Sequence, residues 1–522
     1  MRRRIVTTLI CSLLAVSMVL AGCGGTAPPA APAKPAEPPK PQVNIVMAMS
    51  TDPKTMDPHK SNDGPSIINW KQMYDTLVKL DTENRTAIPS LATKWEQPDG
   101  KTIKFTLRKD VKFHDGTALT AKDVVFSISR LLDPTTKSPA AYLLNMIDTI
   151  KADDDYTVTV TLKQPFAPVI FHFAHPAASI VPEAYMKAKG DDFIKAPVGS
   201  GPFKFVSYTK GDRIEFVKNA AYWGGAPTPD KVTIRIIPEP STQVAELEAG
   251  GIHIAFNIPT QEVARLKQSK TADVLTTLSW SVQGLVFNVT RKPYNDVRVR
   301  QALNYAVDKE SIVKFVEAGL AEPTGQILTP VVFGYNPNLK PYPYDPAKAK
   351  QLLKAAGYPN GFETKFLVWN MDPRIKFAEA VQAQLAKVGV KVKLDIIEFG
   401  TALEMAYKNN FDVTTMQWGT ATLDGDYSYY SLIHSDNWGS AGNWGHYKNK
   451  QVDDLIMKAR TTPDQKVRLE SYQKASEIVF NDAVWLFGDQ LVQAFGVRRD
   501  LKNVKIPVSW INADVTKATI QK

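Results

Sequence analysis

Cysteine is almost absent from this chain of 522 residues, which has only Cys11 and Cys23. Once a leader containing Cys11 is removed, no disulfide can form within the remainder, so stability has to come from burial. Long apolar runs are equally scarce: the one from Ile5 to Leu20 is too short for a comfortable membrane span. No run of five lysines or arginines occurs, so the formal charge of +10 describes a solvated basic surface and not a nucleic-acid footprint. Gly-x-Ser-x-Gly, His-Glu-x-x-His and Cys-x-x-Cys are missing, which removes the usual hydrolase and zinc signatures, and no short-period solenoid repeat is present. No catalytic residue, metal or cofactor is expected. At 44% hydrophobic and 22% charged, the composition is that of a soluble globular protein. The length suffices for about three domain-sized units.

What is there begins with Arg2, Arg3 and Arg4 ahead of the apolar run, the layout of a secretion signal. It ends in Leu20-Ala21-Gly22-Cys23, which resembles the lipobox of bacterial lipoproteins. The resemblance implies cleavage after Gly22 and a lipid on Cys23, a sulfur that would otherwise have no partner. The leader takes three arginines and no acid, leaving a net charge of +7. Gly24 to Gln42 holds seven prolines and many alanines, a tether with little to bury. In polyproline II, at about 3.1 Å per residue, it reaches roughly 60 Å from a membrane.

Along the folded chain, Asn44 to Met49 reads as a strand, followed by a turn-rich loop reaching His59 and a helix over 65–78. Leu91 to Trp95, the Pro98-Asp99-Gly100 turn and Thr102 to Leu107 form a hairpin, and Thr120 with Asp123 caps a helix over 121–132. Val198-Gly199-Ser200-Gly201-Pro202 is a turn and not a phosphate cradle, because no lysine follows as a P-loop requires. Asp345, Pro346, Gly357 and Pro359 punctuate a helix over 347–356. Thr364–Trp369, Ile375–Lys387, Val390–Ile397, Ala402–Lys408 and Phe411–Trp418 alternate strand and helix as βαβαβ, which requires a parallel sheet with right-handed crossovers. Helices over 451–460 and 464–480 and a strand over 484–497 complete the chain. His172 and His175, read as strand residues, point to opposite faces and hold no metal.

The run LATKWEQPDGKTIKFTLRKDVKFHDGTALTAKDVVFSISRLLDP from Leu91 resembles the signature of the family 5 extracellular solute-binding proteins, the peptide, opine and nickel class that serves ABC importers. PVGSGPF from Pro197, NAAYWGG from Asn219, NDVRVRQALNYAVD from Asn295 and DPAKAKQLLKAAGYPNG from Asp345 follow in the family's order. ELEAGGIHIA from Glu246 departs from it by placing His253 where an acid is usual. The resemblance implies an α/β, two-lobed periplasmic-binding-protein-like fold (class II type) with an extra α/β subdomain in the first lobe. After the leader (1–22) and the lipidated linker (23–42), residues 43–83, 195–284 and 485–522 would form lobe I, 84–194 the extra subdomain and 285–484 lobe II. It further implies a monomer that closes on its ligand and works with a permease and ATPase, extracytoplasmic and lipid-anchored to the cell membrane, in the periplasm or at the outer face of the cytoplasmic membrane, and with no nucleic-acid partner.

The richest stretch is Phe411 to Tyr430, FDVTTMQWGTATLDGDYSYY, where a strand stops in a loop of aromatics and carboxylates. Such a loop leaves the carboxyl end of a parallel sheet, where ligands of open α/β sheets bind. Candidate ligand contacts are Trp418, Gly419, Thr420, Ala421, Asp424, Asp426, Tyr427 and Tyr430, with Trp444 and His59. Asp424 and Asp426 could imitate a glycosidase pair, but two acids on one loop read better as turn formers or ligand acceptors, so a secreted hydrolase is the remote alternative. In similar peptide-binding members an aspartate three positions after the tryptophan pairs with the peptide α-ammonium; here that position is Ala421. Three readings stay open. Asp424 supplies the carboxylate from a shifted loop; the ligand lacks a free amine there; or it is a sugar, nickel chelate or opine stacked on Trp418, Trp444 and the tyrosines. Peptides are the leading class.

Overall fold

The computed structural model describes residues 42–521 apart from 82, 257, 440, 441 and 507–512. The expected leader, Cys23 and the linker up to residue 41 lie outside the described residues. β1 (Asn44–Met49) buries Ile45, Met47 and Met49 in a core with Ile234 and Phe495. Helix α1 (Gly64–Met73) starts at Asp63, whose side chain accepts from the Ser66 N–H. It stops at Met73, short of the expected Val78, and Val78–Asp81 is a strand. The cause is distant in sequence. The Gly201 N–H donates to the Met73 carbonyl at 2.8 Å, and a Cβ on Gly199 would fall 2.1 Å from the same oxygen. The PVGSGPF turn thus caps α1, and its glycines are needed for that backbone-on-backbone contact.

Strands β2 (Ala92–Glu96), β3 (Thr102–Leu107), β4 (Ile147–Asp154) and β5 (Thr157–Leu162) form a separate four-stranded sheet in the order β2-β3-β5-β4. Its inward Ile103, Phe105, Val158 and Val160 share a core with Val124 and Ile128 of α2 (Ala121–Leu132), whose Thr120/Asp123 capping box is present. His172 and His175 are not in a strand. His172 ends a helical turn, Val169–His172, and His175 caps the turn Pro176–Ala178. Pro168 and Pro176 withhold the N–H groups that a ladder would use.

An 11-stranded mixed sheet passes through both lobes. On the first side β1 runs parallel to β6 (Lys231–Ile236). β7 (Ala272–Phe287) crosses to the second lobe, where α3 (Pro346–Ala355) carries the Asp345 cap and is followed by Gly357 at φ +92°. There β8 (Glu363–Trp369), α4 (Asp372–Ala386), β9 (Lys391–Ile397), α5 (Phe399–Tyr407) and β10 (Val413–Gly419) make the βαβαβ unit, with β8 parallel to β9 and to β10. β10 is antiparallel to β7. After α6 (Gly425–Leu432), α7 (Lys450–Thr461) and α8 (Gln465–Asn481), β11 (Trp485–Arg498) returns along β7. The β7–β11 ladder slips register between Leu278 and Val282 and again between Gln283 and Gly284. Such irregularities bend strands, and these lie where the chain passes between the lobes.

Candidate functional site

Because β8 and β10 are parallel, their carboxyl ends open on the same side, and β10 ends in Trp418 and Gly419. Trp418 lies opposite Val282 of β7, and Gly419 opposite Ser281. A Cβ on Gly419 would fall 2.5 Å from Trp280 Nε1, so the missing side chain is what lets the Trp280 indole lie on the strand end. The Thr420 N–H donates to the Trp280 carbonyl at 3.1 Å, and the Thr420 and Ser428 hydroxyls share a buried hydrogen bond of 2.7 Å.

The expected open loop to Tyr430 is shorter than its sequence suggested, because Asp424 caps α6 by accepting from the Asp426 N–H at 2.9 Å. Both Asp424 oxygens also receive Arg468 Nη2 at 2.8 Å, and neither side chain has any exposed surface. Asp426 takes Arg460 Nη1 on both oxygens at 2.8 Å. Burial pushes the Asp426 carboxyl up to about 6, against the pull of Arg460. The two acids therefore pin α6 to α7 and α8. A ligand ammonium at either one would have to displace an arginine from a buried ion pair.

The half-buried Trp418 ring stands 5.5 Å from Tyr427, and Trp418 Nε1 has no hydrogen-bond partner. Burial and the neighbouring Tyr142 side chain push the Tyr427 hydroxyl well above its ordinary value; Tyr142 belongs to the turn Ala141–Leu143 and is 44% exposed. Trp418 and Tyr427, with Tyr142 near Tyr427, thus form an aromatic wall, and the half-buried Ala421 follows the strand end. The wall offers ring faces and neutral donors and carries no unpaired carboxylate of its own.

Side chains alternate along β10, so Gln417 points to the opposite face from Trp418. There Arg374 donates to Gln283 and Gln417, and Gln283 Nε2 donates to Asp489 at 2.9 and 3.1 Å and to Glu317 at 2.7 Å. This buried polar cluster joins the two long crossing strands to α4.

Other expected contacts lie elsewhere. His59 is fully buried in the first lobe: Arg130 Nη1 donates to its Nδ1 at 2.8 Å, so its Nε2–H donates to the Ser179 carbonyl at 3.0 Å. Burial lowers it to about 4, which leaves a neutral ring that orders the Asp57–Arg130 pair. The Trp444 ring packs on Trp369 and Tyr407 within the second-lobe core. Tyr430 lies 3.7 Å from the Arg460 guanidinium. Two aromatic residues beside the candidate loop escaped sequence reasoning. Trp280 could have been suspected from an aromatic facing Gly419 across a ladder, whereas Tyr142 carries no local signal. Among the described residues, no three His, Cys, Asp or Glu side chains gather as a metal site, and no helix is long and apolar enough to cross a membrane.

A two-lobed α/β fold threaded by paired crossing strands is the architecture of a solute-binding protein. The chain belongs to the bacterial extracellular solute-binding proteins, family 5, whose profile matches residues 86–440. It is a substrate-binding protein of the ABC-importer class. The glutathione-binding protein GsiB of Escherichia coli strain K12 is 33% identical over 453 residues, covering 85% of this chain and 88% of that relative. Among solved structures, HbpA2 from Haemophilus parasuis superposes with a TM-score of 0.85 at 27% identity, covering 92% of this chain and 100% of that one. The ABC transporter-associated periplasmic binding protein DppA from Helicobacter pylori, solved with the peptide STSA, is 32% identical with a TM-score of 0.74, covering 92% and 99%.

Proposed function

We propose that this protein captures short peptides of glutathione size and passes them to its permease, holding the peptide by ring stacking and neutral hydrogen bonds at the Trp418, Tyr427 and Tyr142 wall and not through a paired α-ammonium. The observation that carries this reading is the charge inventory of the wall. Ala421 has no carboxylate, and Asp424 and Asp426 are committed to Arg468 and Arg460. An ammonium buried there without a partner would cost several kcal/mol, roughly 3–5 by the measure of broken buried pairs. Ligands whose amine is blocked, or displaced from the main chain as in a γ-linked peptide, escape that cost. Relatives that bind glutathione and a peptide support the class. The protein acts as a receptor and not an enzyme, held outside the cytoplasm by a lipid on Cys23 and the Pro/Ala-rich tether.

Calorimetric titration with glutathione, a free tripeptide and its N-acetyl form tests the reading. Acetylation should change affinity by less than about threefold, and Trp418→Ala should weaken the best ligand at least tenfold, since stacking adds about 0.5–1.5 kcal/mol beyond buried area. A peptide that loses a hundredfold on acetylation would reveal a carboxylate partner for the amine and overturn it.

A further inference from the structure

A cavity of about 430 Å³ lies in the first lobe, and no residue of the Trp418, Tyr427 and Tyr142 wall lines it. Small-molecule sites run from roughly 300 to 1,000 Å³, so it has the room of a small solute. One lining residue, Asp75, ties the end of α1 to two motifs that the wall does not use. Its carboxylate accepts from Ser200 Oγ of PVGSGPF at 3.1 Å and from Tyr222 OH and Trp223 Nε1 of NAAYWGG at 3.0 and 2.9 Å, and it lies 3.2 Å from Lys79 Nζ. A carboxylate has about four lone-pair sites, so Asp75 is saturated and serves as the frame.

Three further charged residues line the cavity: Lys71, Lys79 and Asp514. Lys79 holds its ammonium 5.1 Å from the Trp223 ring centroid and pairs across a two-stranded ladder with Ile88. Lys71 lies on α1. Burial first and the Lys79 charge second lower it to about 8, while Asp514 pulls it upward, so the three charges act on one space. Asp514 Oδ1 accepts from the Thr516 N–H at 3.0 Å and from Thr516 Oγ1 at 2.7 Å, and among the described residues its Oδ2 has no hydrogen-bond partner. Leu80, Ile88, Ala174 and Pro176 add aliphatic surface.

This charge pattern selects the occupant. A plain anion would gain from the lysines and be opposed by Asp514, and a plain amine would meet the reverse. Two ammoniums and one carboxylate beside an aliphatic surface match a molecule that carries both signs and an apolar body. We propose that the cavity is a second binding site, for a free α-amino acid with an aliphatic side chain, whose carboxylate meets the Lys71 and Lys79 ammoniums and whose ammonium meets Asp514 Oδ2. The cavity and the wall share no lining residue, so each can be altered by substitution without touching the other.

Calorimetric titration of the full chain with L-leucine tests the site, with 4-methylpentanoate and 3-methylbutylamine as probes that lack its ammonium and its carboxylate. Leucine should bind, and each probe at least about tenfold more weakly, the scale of one lost hydrogen bond to a charged group. Asp514→Asn keeps Oδ1 for Thr516 and removes the charge, so leucine affinity should again fall at least about tenfold. Ile88→Trp puts bulk beside Lys79 at a position 38% exposed and should abolish leucine binding without changing any charge. Trp418→Ala should leave leucine binding unchanged. Both cavity variants should melt within a few degrees of wild type, and if Asp514→Asn does not, Ile88→Trp decides the outcome alone. No leucine binding at millimolar concentration, 4-methylpentanoate binding as tightly as leucine, full leucine affinity in Ile88→Trp, or loss of leucine binding in Trp418→Ala would each overturn the proposal. No peptide enters these titrations, so failure here is distinct from failure of the peptide reading.

Discussion

Replacing Asp489 by asparagine should stabilise the protein at pH 8 and leave it nearly unchanged at pH 4. Asp489 is 1% exposed on β11, where the ladder with β7 slips. It accepts from Gln283 Nε2, which also serves Glu317, and among the described residues no cation lies within ion-pair distance of it. Burial first, and the Glu317 charge second, push its carboxyl up to about 7 from an ordinary 3.8. A gap of about three units at 1.36 kcal/mol each is on the order of 4 kcal/mol. Its sign follows from proton binding: between pH 4 and 7 the folded chain keeps the proton that the unfolded chain has released. The Asp489 contribution is therefore intact below about pH 4 and lost as pH rises through about 7. His59, His114, His172 and His253, each lowered to about 4, and His175, lowered to about 3, act oppositely. Burial keeps them neutral in the fold, so their contribution is lost as pH falls below about 6.5. The wild-type profile mixes both trends, and the variant-minus-wild-type difference isolates Asp489. Asparagine retains an oxygen for Gln283 and has no charge to bury. At about 2 cal/mol/K of unfolding entropy per residue, the gain at pH 8 corresponds to roughly 4 °C in melting temperature for a cooperative unit of this length. Scanning fluorimetry of both proteins from pH 4 to 8 reads it. A difference that stays flat across that range refutes the reasoning.

Breaking the Asp424–Arg468 pair from one side should be costly: Asp424→Asn leaves a buried arginine uncompensated, at about 3–5 kcal/mol in urea unfolding, whereas Asp424→Leu combined with Arg468→Met should recover most of the loss. A single variant within about 1 kcal/mol of wild type would contradict the buried pairing. For the proposed membrane tether, Cys23→Ser should abolish incorporation of labelled fatty acid and release the protein from the membrane fraction; retention of the label would place the lipid elsewhere, and a wild-type chain that takes up no label would remove it.

Local chemistry was legible in the sequence where it was self-sufficient. Asp345 accepts from the Lys348 N–H and Thr120 exchanges bonds with Asp123 because every partner lies within one helical turn. The βαβαβ unit was equally clear, since period and element length are properties of short windows. The candidate site was not. The partners that convert Asp424 and Asp426 from ligand acceptors into structural ion pairs stand 44 and 34 residues away, on helices whose arginines look like ordinary surface charge. The end of α1 was hidden for the same reason, because the groups that cap Met73 come from a glycine turn far downstream.

The strand β10 carries two sets of side chains with different partners. Gln417 and Trp418 are neighbours in sequence, yet the pleat sends one to the Arg374 and Asp489 cluster at the crossing strands and the other to the aromatic wall. On the proposed peptide reading, a change at Trp418 alters solute binding while leaving the Gln417 cluster and the crossing strands intact. Giving Ala421 a carboxylate would add a partner for an α-ammonium while leaving the Asp424 and Asp426 pairs and the crossing strands as they are, so it would redirect the receptor toward free N-termini.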